Sequence, residues 1–201
     1  DIRIDDLPVN QQLAYIAHTS GSTGNGKSKG VAVDHAGLLG AMQTHIDVME
    51  LTQEELILQF AGQEFDAIIM EMMLAFGTGS CLVISDIQDR YQLNNLSSLI
   101  RSQKISTMIF TPKLLEEYEP HDFPCINNIV LTGEACAKPL LDKWRESVSI
   151  YIGYGLVETS IALTLTPYDG NHISIAGKPM GSMRYWLMNE GVLAGIGRGE
   201  V

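Results

Sequence analysis

A chain of 201 residues can bury one sizeable core, and its 45% hydrophobic content is ordinary for a globular protein. The formal charge of -11 argues against nucleic acid or an anionic membrane as partner, since both need a basic surface. Cys81, Cys125 and Cys136 show no ligand or disulfide spacing and read as packing residues of a reducing cytoplasm, and no apolar run suggests a membrane span or a signal peptide. Along the chain, the apolar run Leu13–Ala17 reads as a buried strand. It leads into Thr19-Ser20-Gly21-Ser22-Thr23-Gly24-Asn25-Gly26-Lys27-Ser28-Lys29, rich in glycine, hydroxyl groups and lysine. Glycine lets backbone N–H groups approach an anion, hydroxyls add donors and lysine adds charge, so this run reads as a phosphate-holding loop.

Two readings of the loop compete. Gly21 through Ser28 satisfies the P-loop spacing G-x-x-x-x-G-K-[ST], and Leu82-Val83-Ile84-Ser85-Asp86 offers a strand ending near a carboxylate. That reading makes the chain a nucleoside triphosphatase acting through Lys27 and Ser28. A P-loop opens directly into a helix. Here Lys29-Gly30-Val31-Ala32-Val33-Asp34 predicts a strand, and helical periodicity starts later, with Leu39, Met42, Ile46 and Met49 on one face.

Further on, strands are predicted at 56–61, 81–85, 105–110, 129–132 and 148–153, and helices at 66–76, 93–103 and 139–147. This alternation predicts an α/β fold, a mostly parallel sheet flanked by helices over roughly residues 13–155. From about Ile161, short apolar runs between turn signals predict antiparallel hairpins. The expected division is an α/β unit over 1–165 and a partial β-rich unit over 166–201. The chain begins without methionine and ends where a strand is under way, which reads as a piece of something larger.

Several blocks, in order, resemble the adenylate-forming superfamily (acyl-CoA synthetases, luciferases and adenylation domains), and most closely adenylation domains of nonribosomal peptide synthetases. Thr19 to Gly24, closed by Lys29-Gly30-Val31, resembles the phosphate loop T-S-G-[ST]-T-G-x-P-K-G-V, lengthened and without its proline. Phe65-Asp66-Ala67, followed by Glu71, resembles F-D-x-S, and Thr132-Gly133-Glu134-Ala135 resembles G-G-E-A. Tyr154-Gly155-Leu156-Val157-Glu158-Thr159 resembles Y-G-P-T-E-T. Gly177-Lys178-Pro179 resembles G-x-P, and Gly195-Ile196-Gly197-Arg198-Gly199-Glu200 resembles P-V-G-x-x-G-E.

The resemblance implies a flavodoxin-like subdomain and the start of a β-rich one. It implies ATP-dependent activation of an amino acid as acyl-adenylate, with release of pyrophosphate and transfer to phosphopantetheine on a peptidyl carrier domain of the same synthetase. It assigns ATP phosphates to Thr19, Ser20, Gly21, Ser22, Thr23, Gly24 and Lys29. Adenine falls to Gly133, Glu134, Ala135, Tyr154 and Gly155, and Mg²⁺ to Glu158. Asp66 would pair with the substrate α-ammonium group; by its position alone it could equally be a helix N-cap. The side-chain pocket would be Ala67, Met70, Ile109, Val130, Thr132, Gly153, Ile161 and Ala162, uncharged and suited to a hydrophobic side chain. The family's lid lysine falls beyond Val201, so no catalytic residue is assigned here and the fragment alone is expected to be inactive. Val157 for threonine, Leu156 for proline and His18 for tyrosine depart from the pattern, which leaves a decayed module as one alternative. An acyl-CoA or aryl-acid ligase of the same superfamily is another.

Overall fold

A computed structural model describes residues 12–19, 28–86, 90, 92–171, 188–189 and 192–193. The elements run β1 (Leu13–Thr19), β2 (Lys29–Asp34), α1 (His35–Met49), β3 (Leu56–Gln59), α2 (Ala67–Thr78) and β4 (Cys81–Ile84). They continue as α3 (Leu93–Gln103), β5 (Thr107–Phe110), a short α4 (Pro112–Leu115), β6 (Asn128–Leu131), α5 (Lys138–Trp144), β7 (Ser149–Tyr154) and β8 (Thr164–Pro167). β9 (Met188–Asn189) and β10 (Val192–Leu193) pair antiparallel with each other.

Among the described residues, six strands form one sheet in the order β4-β3-β5-β6-β7-β8. All neighbours are parallel except β7 and β8. Parallel strands are usually covered on both faces, and the side chains here sort accordingly. Leu58, Met108, Phe110, Ile129, Leu131 and Ile150 face a core completed by α3 and α5, with Trp144 and Phe123 fully buried in it. Their neighbours Ile57, Ile109, Val130 and Tyr151 face the opposite core, built with Met70, Leu74 and Ala75 of α2 and Ala41 and Met49 of α1. Each fully buried apolar side chain contributes about 1.5–3 kcal/mol by transfer, so both faces hold the sheet.

Four local expectations are corrected. β1 and β2 form an antiparallel hairpin apart from the main sheet, so the parallel sheet starts at β3. β1 is also not a buried strand: Leu13 and Ile16 are exposed, and the inner face of the hairpin is Val31 and Val33, packed with Leu38. In α1 the buried line is Leu38, Ala41, His45 and Met49, one residue off the expected face, and Leu39 is exposed. Met42 and Ile46 pack onto Gly77 of α2, where a Cβ would lie 2.7 Å from Met42 Sδ and 2.9 Å from Ile46 Cδ1, while Ala41 faces the sheet core. Cys81, expected to pack, is exposed. No described helix is long and apolar enough to cross a membrane.

Asp34 caps α1, accepting from the Gly37 N–H at 2.7 Å. The expected division at residue 165 falls within β8.

Candidate functional site

In open α/β sheets, ligands sit beyond the C-terminal strand ends, where the strand order reverses. Here the reversal lies at β3, which has β4 on one side and β5 on the other. The connection leaving β3 leads to Asp66 at the head of α2. The turns leaving β6 and β7 carry Gly133-Glu134-Ala135 and Tyr154-Gly155. β6 and β7 run in register, Leu131 opposite Ile152, so these two turns leave the sheet side by side.

The base of the β1–β2 hairpin reaches the turn after β7. Thr19 and Lys29 are register partners at its base. Lys29 Nζ donates to Glu158 Oε1 at 3.3 Å, in the single turn of 3-10 helix Val157–Thr159 after β7. Backbone hydrogen bonding first and the Lys29 contact second hold the Glu158 carboxyl below its usual range, so it is ionised and exposed. Ser20, Gly21, Ser22, Thr23 and Gly24 lie outside the described residues, as do the Gly177–Pro179 and Gly195–Glu200 blocks. The chain after the loop is the strand β2 and not a helix, which removes the structural context a P-loop requires.

Asp66 occupies the N-cap position of α2, but its backbone is helical (φ -66°, ψ -17°) and its side chain makes no capping hydrogen bond. Burial raises its pKa, opposed by its own amide and that of Ala67. A half-buried carboxylate with no capping duty is suited to a cationic ligand. Four residues further along α2, Met70 is buried with Ile109, Val130 and Ala162 in one apolar cluster, with Ile161 packed against it. Ile109 and Val130 are register partners. A Cβ on Gly153 would touch Val130 Cγ1 at 3.5 Å and Thr132 at 3.6 Å, which places Gly153 and Thr132 in the same group. Ala67 follows Asp66 as the first residue of α2. Each expected pocket residue thus lies on the α2 face of the sheet or at its C-terminal edge.

Gly133 has φ 87°, a left-handed turn that favours glycine, and Glu134 and Ala135 beside it are exposed. Tyr154 is exposed at the end of β7. Gly155 is fixed by close approach: a Cβ there would run into Ala162 Cα and lie 2.5 Å from the Ile161 carbonyl oxygen. Ile161, a β-branched residue, sits at φ 80°, a conformation costing about 1–3 kcal/mol that is characteristic of functional sites.

Sequence reasoning missed Tyr15, whose hydroxyl is buried without a hydrogen-bond partner. Burial, and then the charge of Asp66, push its pKa up to about 12. It also gave no role to Glu71, buried beneath the Asp66 connection, although a lone carboxylate inside Ile68-Ile69-Met70-Glu71-Met72-Met73-Leu74 signals a partnered charge. A separate cleft of about 520 Å³, lined by Asn127, Arg145, Ser149, Tyr151, Pro167 and Tyr168, opens at the opposite strand edge. Among the described residues there is no cluster of three metal-ligating side chains.

The family model described as AMP-binding enzyme matches residues 3–201. Malformin synthetase mlfA of Aspergillus vadensis is 33% identical over 187 residues, covering 90% of this chain and 4% of that protein. The chain therefore spans only a small part of the curated relatives it matches. Among solved structures, the Vibrio cholerae adenylation domain AlmE in complex with glycyl-adenosine-5'-phosphate superposes with TM-score 0.77 at 22% identity. That match covers 92% of this chain and 36% of AlmE. The Klebsiella oxytoca NpsA N-terminal subdomain in complex with 3-hydroxyanthranilyl-AMSN superposes with TM-score 0.78 at 24% identity, covering 95% and 49%. The fold is that of these two solved structures.

Proposed function

The chain belongs to the AMP-binding enzyme family, and we propose that it is the central part of an adenylation domain that activates a hydrophobic amino acid with ATP. In this reading a substrate carboxylate oxygen attacks the α-phosphorus of ATP. The α–β phosphoanhydride bond breaks, and acyl-adenylate and pyrophosphate form. The acyl group then passes to the phosphopantetheine thiol of a peptidyl carrier domain in the same synthetase. Residues 1–165 serve ATP and substrate, and 166–201 begin the β-rich subdomain.

The observation that carries the reading is Asp66, uncapping and half-buried, at the head of the helix that lines the apolar cluster of Met70, Ile109, Val130 and Ala162. A carboxylate at the rim and hydrocarbon within match an ammonium group and an apolar side chain on one carbon. Thr19, Ser20, Gly21, Ser22, Thr23, Gly24 and Lys29 hold the phosphates. Gly133, Glu134 and Ala135 lie along the base, and Tyr154 stacks on it, with Gly155 keeping the turn close. Glu158 suits Mg²⁺, which binds through one or two carboxylates plus substrate phosphates and needs no all-protein cage. Bound there, the ion would neutralise phosphate charge. Lys29 holds Glu158 at the base of the β1–β2 hairpin.

The test is a panel of substrates on the full-length protein that carries this chain. Leucine, isoleucine, methionine or phenylalanine should support AMP formation, because a charged side chain would lose its hydration without gaining a partner. Preference for lysine, arginine or glutamate would sink the pocket assignment, and turnover of fatty or aryl acids in place of amino acids would sink the substrate class.

A further inference from the structure

Glu71 lies on α2 five positions after Asp66 and is fully buried. Its Oε1 accepts from the Ala61 N–H at 3.1 Å. Its Oε2 accepts from the Phe60 N–H at 3.1 Å and from the Ala61 N–H at 3.2 Å. The Gln59 side-chain amide approaches Oε2 at 3.5 Å and donates to the Ala61 carbonyl at 2.8 Å. Gln59 is braced in turn. Arg90 donates to Gln59 Oε1 at 3.0 Å and to Ser85 Oγ at 3.2 Å, and Ser85 Oγ donates to the Gln59 carbonyl at 2.7 Å. One carboxylate thus joins the first residues of the β3–α2 connection to the helix at the connection's other end. That connection delivers Asp66.

A buried carboxylate is costly, and an apolar residue would pack as well without that cost. What the carboxylate adds is a fixed chain path, since backbone amides aim at both of its oxygens. We propose that Glu71 is a positioning residue for Asp66: its ionised carboxylate fixes the β3–α2 connection, and thereby the alignment of Asp66 with the substrate ammonium group. The inference rests on the adenylation reading. Protonation removes the negative charge that strengthens these bonds, and a proton on Oε2 also competes with the Phe60 N–H, so the connection loosens. Burial pushes the Glu71 carboxyl up to about 7, against the Ala61 and Phe60 amides, Gln59 and the Arg90 charge. Among the described residues, Arg90, beyond β4, is the charged side chain acting on it. The switch therefore falls near neutral pH.

The experiment is amino-acid-dependent ATP–pyrophosphate exchange by the full-length protein across that pH range. In the wild type, KM for the amino acid should rise severalfold as pH falls through about 7, with KM for ATP steady. Glu71→Gln should raise the amino-acid KM about tenfold, flatten its dependence near neutral pH and leave kcat and the ATP KM unchanged. Arg90→Met keeps the carboxylate but removes the charge that favours its ionised form, so the wild-type inflexion should move to higher pH. Survival of the inflexion in Glu71→Gln, or parallel increases in both KM values, would overturn the proposal. Should Glu71→Gln fail to fold, Arg90→Met decides alone: an unmoved inflexion refutes it. If no amino acid supports exchange in the wild type, the adenylation reading itself falls, and this inference with it.

Discussion

Lys29 Nζ and Glu158 Oε1 lie 3.3 Å apart, although 129 residues separate them in the chain. The contact ties the base of the β1–β2 hairpin to the turn after β7, so Lys29, proposed for phosphate, and Glu158, proposed for the metal, share one place. Both side chains are exposed, 67% and 42%, and such pairs add little to stability. The importance of this pair lies in where it holds two charges.

Lys29→Ala should therefore weaken ATP binding strongly, about tenfold or more in KM, with an unchanged melting temperature. Lys27→Ala should do much less. ATP titrations of the two variants separate the readings of the loop. Dominant loss at Lys27, with ADP as product, would restore the P-loop alternative.

Asp66 sets function against stability. Burial raises its carboxyl pKa, so the folded state holds the proton more tightly than the unfolded chain. Its stabilising contribution is thus complete below the ordinary value of 3.8 and is lost as pH rises through the raised one. Near neutral pH, Asp66→Asn should be modestly more stable than wild type in a urea melt, yet unable to activate its amino acid. A destabilised Asn variant would mean that the carboxylate has a structural partner.

Gly155→Ala should destabilise the protein by about 1–3 kcal/mol, the usual range for overpacking. The new Cβ would meet the backbone of Ile161 and Ala162 and not a movable side chain. Because those two residues belong to the proposed pocket, amino-acid KM should rise along with the loss in melting temperature. A neutral substitution would show that the turn at Gly155 is looser than the structure has it.

His45 gives a pH dependence of the opposite kind. It is buried in α1, with Nδ1 2.8 Å from the Ala41 carbonyl oxygen, and burial holds its pKa below 6.5. The unfolded chain binds the proton first, so stability should fall as pH drops below 6.5 towards the folded value. Chemical melts of wild type and His45→Leu at a series of pH values measure this. The variant should lose that part of the acid sensitivity; equal slopes would contradict the assignment.

Much of this was legible in the sequence. Strand–helix alternation from Leu56 to Tyr154 foretold the parallel sheet, because strands buried on both faces read as unbroken apolar runs. Val31 and Val33 marked β2 by their spacing. The separation of the β1–β2 hairpin from the sheet was not legible, since pairing across the glycine-rich loop is a tertiary choice. Nor was the face of α1, where Leu38 and Leu39 are equally apolar and only Leu38 packs with Val31 and Val33 of β2. Asp66 stood out by its neighbours, whereas its freedom from capping needed coordinates. Tyr15 left no local signal at all, because its orphaned hydroxyl is a property of what surrounds it.

The central claim is that this chain helps to join an amino acid to AMP. The most direct measurement is amino-acid-dependent return of labelled pyrophosphate into ATP by the full-length protein, wild type beside Asp66→Ala. The account predicts exchange with a hydrophobic amino acid, AMP as the nucleotide product, and loss of exchange in the variant. Exchange driven by carboxylic acids lacking an amino group and undiminished in Asp66→Ala, or ATP cleavage to ADP without exchange, would contradict it.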